Sequence, residues 1–133
     1  MDKEFICFLI DDDADDQEIF LSVLEGITPS VQCVTASNGQ EALKKLTAEK
    51  IKPDLIFLDL NMPLMNGRQF LKACHLLASC KEIPVIILTT SSDAKSREES
   101  LQLGARDYIT KPDKYSLWGK VISEKINAYR HGQ

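Results

Sequence analysis

Three aspartates, a threonine and a lysine stand where apolar segments of this sequence end. The segment FICFLI runs directly into Asp11 and Asp12, and the segment LIFL ends in Asp59. Thr89 closes the apolar segment PVIIL, and Lys111 follows DYIT. If the four charged side chains met, they would carry a net charge of −2, which a divalent cation bound through oxygen atoms would neutralise. A site with few carboxylates favours Mg²⁺, because this ion keeps several of its water ligands.

The same side chains suit the transfer of a phosphoryl group. A carboxylate such as that of Asp59 can act as a nucleophile once the charge around it is neutralised. The ammonium of Lys111 and a cation would stabilise the oxygens over which charge spreads during transfer. The hydroxyl of Thr89 could then donate a hydrogen bond to the transferred group. The residue types therefore indicate metal-assisted phosphoryl transfer as a candidate chemistry.

The elements that must bring these residues together alternate along the chain. Five short apolar runs predict strands, and segments with helical spacing of apolar residues follow them. Strands that are apolar on both faces are typical of a parallel sheet covered by helices on both sides. We therefore predict an α/β fold, a doubly wound (βα)₅ sheet, whose ligands bind beyond the carboxyl ends of the strands. The predicted strands are 5–10, 31–36, 55–59, 84–89 and 106–110, and the predicted helices lie at about 13–24, 40–49, 68–77, 93–103 and around Trp118, Ile122, Ile126 and Tyr129.

Length and charge narrow the class of protein. The 133 residues predict one domain over 1–133 with no output domain attached. The net charge is −4 and no basic stripe is present, which argues against nucleic-acid binding. The apolar stretch 5–10 is flanked by acids and is too short for a signal peptide or a membrane span. A cytoplasmic location is the expectation that follows.

The four cysteines form no metal-binding pattern. Cys7, Cys33, Cys74 and Cys80 contain no C-x-x-C pair and have no histidine at zinc-finger spacing. Cys7 and Cys33 fall inside predicted strands, where a small buried thiol is the simplest interpretation. Reduced thiols would suit the cytosol.

Four stretches together resemble the receiver domain of two-component response regulators. These are FLIDDD, PDLIFLDLNMPLMNG, PVIILTT and GARDYITKP, and they occur in order on the expected elements over nearly the whole chain. The resemblance implies a flavodoxin-like parallel sheet of five strands in the order 2-1-3-4-5. It also implies a stand-alone, single-domain regulator similar to those of chemotaxis.

The resemblance further implies roles for the residues at the strand ends. Asp59 would be the phosphoacceptor. Asp12 and Asp59 would ligate Mg²⁺ directly, with the backbone carbonyl of Asn61 as a third ligand, and Asp11 would act through a metal-bound water. Lys111 would pair with the phosphoryl group or with Asp59.

A second group of residues would form the switch. Thr89 would bind the phosphoryl group, and Tyr108 would then turn inward behind it. The Lys111–Pro112 peptide bond is expected to be cis, a geometry that costs an X-Pro bond only about 0.5–1 kcal/mol. Thr90, which is larger than the residue common at its position, and Asp113, where an apolar residue is common, depart from the pattern of the family.

The resemblance also implies partners. A histidine kinase or a histidine phosphotransfer protein would donate the phosphoryl group, and a downstream protein target would recognise the result in phosphorelay signal transduction. No nucleic acid and no membrane would be involved, and the chain would be a monomer or a weak dimer. Such a domain is a switch rather than an enzyme, although it catalyses its own phosphorylation and slow dephosphorylation.

Other interpretations of the acidic residues stay open. Asp13, Asp15 and Asp16 are predicted to be a helix cap and first-turn acids, which the helix dipole favours. A phosphohydrolase of the haloacid-dehalogenase type would carry D-x-D on the first strand, whereas Asp59 begins a D-x-N on the third. A receiver-like scaffold that binds partners without phosphorylation is the second alternative.

Overall fold

The structure, a computed structural model, describes residues 4–27 and 30–131. The ends of the predicted domain, 1–3 and 132–133, lie outside the described residues. Strands and helices alternate along the described chain. In order they are β1 (Phe5–Ile10), α1 (Ala14–Glu25), β2 (Val31–Ala36), α2 (Gly39–Thr47), β3 (Leu55–Leu58), α3 (Gly67–Leu76), β4 (Val85–Thr89), α4 (Ala94–Gln102), β5 (Asp107–Thr110) and α5 (Tyr115–Arg130).

The five strands form one sheet in the order β2-β1-β3-β4-β5, and every pair is parallel. This confirms the predicted (βα)₅ fold and its strand order. Because all strands run the same way, their carboxyl ends lie along one edge of the sheet. The order reverses between β1 and β3, so the ends of these two strands lie side by side at the centre of that edge.

Alternating strand residues build a core on each face of the sheet. Phe8 and Ile10 of β1 pack on one face with residues of α2 and α3. Leu9 packs on the other face with residues of α1 and α5, where the rings of Phe20 and Phe57 meet edge to face at 5.0 Å. Both faces of the central strands are therefore buried, which explains why their sequences are continuously apolar.

Side-chain caps fix where the helices begin. Asp13, Asn38, Asn66 and Asp93 each accept a hydrogen bond from a backbone N–H in the first turn of the helix that follows. These four helices begin within one residue of the predicted positions. For example, α2 begins at Gly39 instead of residue 40. No side chain caps α5 in the described structure.

The cysteines correct one expectation. Cys74 and Cys80 are joined by a disulfide, whereas reduced thiols were predicted. The chain turns after α3, where the amides of Cys80 and Lys81 donate to the carbonyl of Leu77, and the two buried sulfurs meet. Cys7 and Cys33 are free, and burial raises the pKa of Cys33 to about 12 and that of Cys7 further. Their thiols therefore stay protonated and unreactive.

Within the part of the chain that the structure describes, every helix is too short or too polar to cross a lipid bilayer.

Candidate functional site

Backbone hydrogen bonds carry the sheet one residue beyond its strands and fix three of the predicted site residues. The amide of Asp11 donates to the last carbonyl of β2 at 3.0 Å, and the amide of Asp59 donates to the last carbonyl of β1 at 2.9 Å. The amide of Lys111 donates to the carbonyl of Thr89 at 2.7 Å. The side chains that follow β1, β3 and β5 are therefore placed by the sheet itself.

The ammonium of Lys111 lies among three carboxylates. Its Nζ is 2.6 Å from Oδ2 of Asp16, 2.9 Å from Oδ2 of Asp11 and 3.5 Å from Oδ2 of Asp59. The side chains of Asp11, Asp59 and Lys111 are all less than a tenth exposed. The contact with Asp16 was not predicted from the sequence, where this residue was interpreted only as a first-turn acid.

Three carboxylates form a possible cation site beside this lysine. One oxygen from each of Asp11, Asp12 and Asp59 lies within 4.8 Å of the others. Asp11 and Asp59 are buried, while Asp12 is exposed and leaves one side of the cluster accessible to water. Such hard oxygen donors, opening to water on one side, fit a small divalent cation that binds some ligands directly and others through water. The acidic cluster is therefore compatible with Mg²⁺.

Asn61, the fourth predicted metal ligand, follows the cluster closely along the chain. Its backbone amide points toward Oδ1 of Asp59 at 3.5 Å. The role of its carbonyl oxygen as a ligand remains a prediction.

Burial and charge act in opposite directions on the titration of the site. Burial raises the pKa of Asp11 to about 6, although hydrogen bonds with Lys111 and with the amide of Asp13 work to lower it. Burial alone would lower the pKa of Lys111, but hydrogen bonds to Asp16 and Asp11, with the charges of Asp11 and Asp59, raise it well above its usual value. The lysine therefore keeps its positive charge, while Asp11 becomes ionised only as the pH approaches about 6.

The hydroxyl of Thr89 is an exception to the usual pairing of buried polar groups. Thr89 has no exposed surface, and its Oγ1 has no hydrogen-bond partner among the described residues. It ends β4, next to β3 and Asp59 in the sheet. A buried hydroxyl without a hydrogen-bond partner lowers the stability of the fold by about 1–3 kcal/mol, so a ligand that accepted a hydrogen bond from Thr89 would recover this free energy.

Tyr108 is buried rather than directed to solvent. The side chain is 7% exposed, and its hydroxyl donates to the carbonyl of Ser91 at 2.7 Å. The guanidinium of Arg97 lies 6.0 Å from the ring centre. The ring is therefore packed against the segment that follows β4, and its turning inward on phosphorylation remains a prediction. Thr90, next to Thr89, is exposed.

The loop after β3 packs tightly behind Asp59. The amide of Gly67 donates to the carbonyl of Leu60 at 3.0 Å, and a Cβ at Gly67 would overlap the carbonyl oxygen of Asp59. Leu64 in this loop is 75% exposed and has a positive φ of 64°. The loop therefore needs glycine at 67 to approach the strand end so closely.

The residues after Lys111 connect the site to α5. The indole N–H of Trp118 donates to the carbonyl of Pro112 at 3.1 Å, and the ring is 2% exposed. Trp118 is thus a built-in fluorescent reporter of this loop. The cis geometry of the Lys111–Pro112 bond remains a prediction, and Asp113 is exposed.

The chain resembles known response-regulator proteins in both sequence and structure. The family model described as the response regulator receiver domain matches residues 7–121. A protein-glutamate methylesterase/protein-glutamine glutaminase of Treponema pallidum (strain Nichols) is 39% identical over 130 residues. That match covers 96% of this chain but only 31% of the relative, so the chain spans about a third of the length of that protein.

Two solved structures resemble the whole fold. The phosphorylated cyanobacterial phytochrome response regulator RcpA has a TM-score of 0.89 and 30% identity, with 96% of this chain and 94% of that chain covered. The Mn²⁺-bound form of the response regulator Rcp1 has a TM-score of 0.83 and 27% identity, with 90% of each chain covered.

Proposed function

Because this chain belongs to the family of response-regulator receiver domains, we propose that Asp59 accepts a phosphoryl group and thereby switches the binding of a partner protein. The observation that carries the proposal is the meeting of Asp11, Asp12 and Asp59 at one sheet edge with the ammonium of Lys111 among them. Opposite charges gathered around one buried carboxylate suit phosphoryl transfer, in which charge spreads over the phosphoryl oxygens.

The transfer begins with a carboxylate oxygen of Asp59 attacking the phosphorus atom of a phosphohistidine on the donor protein. The new O–P bond forms as the P–N bond breaks, and the electron pair of that bond returns to the histidine nitrogen, which then takes a proton from solvent. The phosphoryl group becomes an acyl phosphate on Asp59. Slow hydrolysis of this group by the chain itself is part of the same proposal.

Asp11, Asp12, Asp59 and the carbonyl of Asn61 would hold Mg²⁺ beside the reacting carboxylate. The cation would supply positive charge that neutralises the carboxylates and the phosphoryl oxygens. Asp11 would contribute through its charge and through a metal-bound water.

Lys111 and Thr89 would bind the phosphoryl group after transfer. The ammonium lies 3.5 Å from Asp59 Oδ2, within reach of a phosphoryl group attached to that side chain. The hydroxyl of Thr89 needs an acceptor and gains one. Two new hydrogen bonds to a charged group are worth about 3–6 kcal/mol together, and a switch from 1:99 to 99:1 needs about 5.5 kcal/mol, so these two contacts drive a nearly complete switch only at the upper end of that range.

Tyr108 would transmit the change to the surface. Its hydroxyl is bonded to the carbonyl of Ser91, two residues after Thr89, so a shift of the Thr89 segment moves the acceptor of this bond. The proposed switch therefore couples Thr89 and Tyr108 through the backbone of the β4–α4 loop.

The partners in this proposal are a histidine kinase or histidine phosphotransfer protein as donor and a downstream protein as target. No nucleic acid or membrane takes part, and the chain acts as a monomer or weak dimer in the cytoplasm. The Cys74–Cys80 disulfide is the feature at odds with that location, because a reducing cytosol opens most disulfides.

Electrophoresis on gels that retard phosphoproteins tests Asp59 as the acceptor. The wild type, incubated with Mg²⁺ and a small acyl-phosphate donor, should give a slower band that a chelator abolishes. Asp59→Asn should give none, while Asp113→Asn, which removes an exposed aspartate, should behave as the wild type. An equal slow band in wild type and Asp59→Asn would refute the assignment.

A further inference from the structure

Asp16 has no part in the proposed function, yet it makes the shortest contact with the lysine of the site. Its Oδ2 lies 2.6 Å from Lys111 Nζ, against 2.9 Å for Asp11 and 3.5 Å for Asp59. The side chains of the pair are 18% and 6% exposed, so water screens them only partly. The contact ties the first turn of α1 to the segment between β5 and α5.

The backbone of Asp16 is held in place by the start of its helix. The backbone amide of Asp16 donates to Oδ1 of Asp13 at 3.1 Å, which caps α1. A negative charge in the first turn of a helix is also favoured by the helix dipole. The helix start therefore fixes the backbone of Asp16, from which its partly buried carboxylate contacts Lys111.

The distances around the ammonium show where it is drawn. A lysine ammonium has three N–H donors, and here three carboxylates face it. The contacts to Asp16 and Asp11 are within or below the usual range of about 2.7–3.2 Å, whereas the contact to Asp59 lies beyond that range. Lys111 is thus drawn toward α1 and away from the carboxylate of Asp59.

We propose that Asp16 is a positioning residue that competes with a phosphoryl group on Asp59 for the ammonium of Lys111, and so limits how readily the phosphorylated state forms. The inference rests on the proposed function, since only a phosphoryl group on Asp59 sets up the competition. A phosphoryl group must draw Lys111 away from its shortest ion pair. Neutralising Asp16 removes that cost, while the three carboxylates of the cation site stay intact.

The test is the binding of beryllofluoride, a small mimic of the phosphoryl group, in saturating Mg²⁺. Bound fluoride is measured by ¹⁹F NMR, and the fluorescence of Trp118 provides a second signal. Asp16→Asn should bind the mimic about three- to tenfold more tightly than the wild type, the range expected for losing one partly shielded ion pair.

Two variants make the comparison specific to the contact. Asp15→Asn removes the same formal charge one position away on the same helical turn, but Asp15 is exposed; it should bind as the wild type to within about twofold, as an exposed charge screened by water should. Asp16→Glu keeps a carboxylate that can reach Lys111, and should return the affinity toward the wild-type value. The Mg²⁺ affinity of each variant, measured without beryllofluoride, separates an effect on the cation from an effect on the mimic.

Urea unfolding of each variant confirms that it is folded before binding is compared. Tighter binding by Asp16→Asn alone, reversed in Asp16→Glu, supports the inference. Equal affinities of Asp16→Asn and Asp15→Asn, or weaker binding by Asp16→Asn, overturn it while leaving the proposed function in place. Absence of any binding by the wild type in Mg²⁺ instead overturns the proposed function, and the inference with it.

Discussion

Replacing Asp11 by asparagine should stabilise the fold in the absence of metal. Asp11 is 1% exposed, and burial raises its pKa from an ordinary 3.8 to about 6. Below the ordinary value the group is protonated in both the folded and the unfolded chain and contributes nothing. As the pH rises toward 6 the unfolded chain releases this proton first, so the free energy of unfolding falls.

The size of the effect follows from the shift in pKa. A shift of about two units at about 1.36 kcal/mol per unit costs the wild type about 3 kcal/mol once Asp11 is ionised. Asparagine avoids this cost but cannot accept hydrogen bonds from both Lys111 and the amide of Asp13, and the lost bond costs about 1 kcal/mol. Asp11→Asn should therefore be more stable by about 2 kcal/mol near pH 7.

Urea unfolding followed by Trp118 fluorescence, with a chelator present, measures the difference. The gap between variant and wild type should close as the pH is lowered to about 4.5, where most of the penalty is gone. Asp12→Asn is the matched control, because it removes the same charge from an exposed neighbour and should gain less than half as much. If Asp11→Asn were less stable than the wild type near neutral pH, or if the gap did not change with pH, the reasoning would be wrong.

Three further outcomes are expected, each measured by urea unfolding. Thr89→Val should stabilise the chain by about 1 kcal/mol, because it removes a buried hydroxyl without a partner, and should weaken beryllofluoride binding about tenfold; a loss of stability would contradict this. Gly67→Ala should destabilise by about 1–3 kcal/mol because its Cβ meets the Asp59 backbone, whereas Gly119→Ala, in open space within α5, should stabilise by up to about 1 kcal/mol; equal effects would show that the loop yields. Reducing the Cys74–Cys80 disulfide should lower the free energy of unfolding by about 2 kcal/mol, given its short loop. Reductant should not change the stability of a variant with alanine at both positions; if it did not change the wild type either, the disulfide would be in doubt.

The sequence predicts the fold well because its signals are local. Continuous apolar strands, caps such as Asp13 and Asp93, and the left-handed Gly104 after α4 are each legible within a few residues. Helix and strand ends move by a residue or two, as where β3 ends at Leu58 and leaves Asp59 beyond the ladder. The spacing of the strands along the sequence does not determine their order in the sheet, which was predicted from the family resemblance.

What the sequence could not show depends on where long side chains reach. The contact between Asp16 and Lys111 joins residues 95 positions apart, and nothing in the first turn of α1 marks Asp16 as different from Asp15. Only the side-chain direction on the folded helix distinguishes them: one is partly buried against the lysine and the other is exposed. The Cys74–Cys80 pair was missed for a similar reason, because C-x₅-C is no motif and its bridge depends on how the chain turns after α3.

The site lacks positive charge for its carboxylates and also lacks an acceptor for a buried hydroxyl. Asp11, Asp16 and Asp59 face a single ammonium, and Asp12 lies beside Asp11 and Asp59. Three of these four negative charges therefore have no positive partner within the described cluster. At the same edge of the sheet, the buried hydroxyl of Thr89 lacks an acceptor and the ammonium of Lys111 lies 3.5 Å from Asp59, too far for a good hydrogen bond.

A cation alone would neutralise the carboxylates but leave the Thr89 hydroxyl without an acceptor. An anion alone would add to the excess negative charge. Only a cation and an anion bound together satisfy every group, because the cation neutralises the carboxylates while the anion accepts from Thr89 and Lys111. Each of the two ligands must then raise the affinity of the site for the other by the same factor. Under the proposed function, the excess of carboxylates and the unpaired hydroxyl therefore favour a metal and a phosphoryl group bound together over either one bound alone.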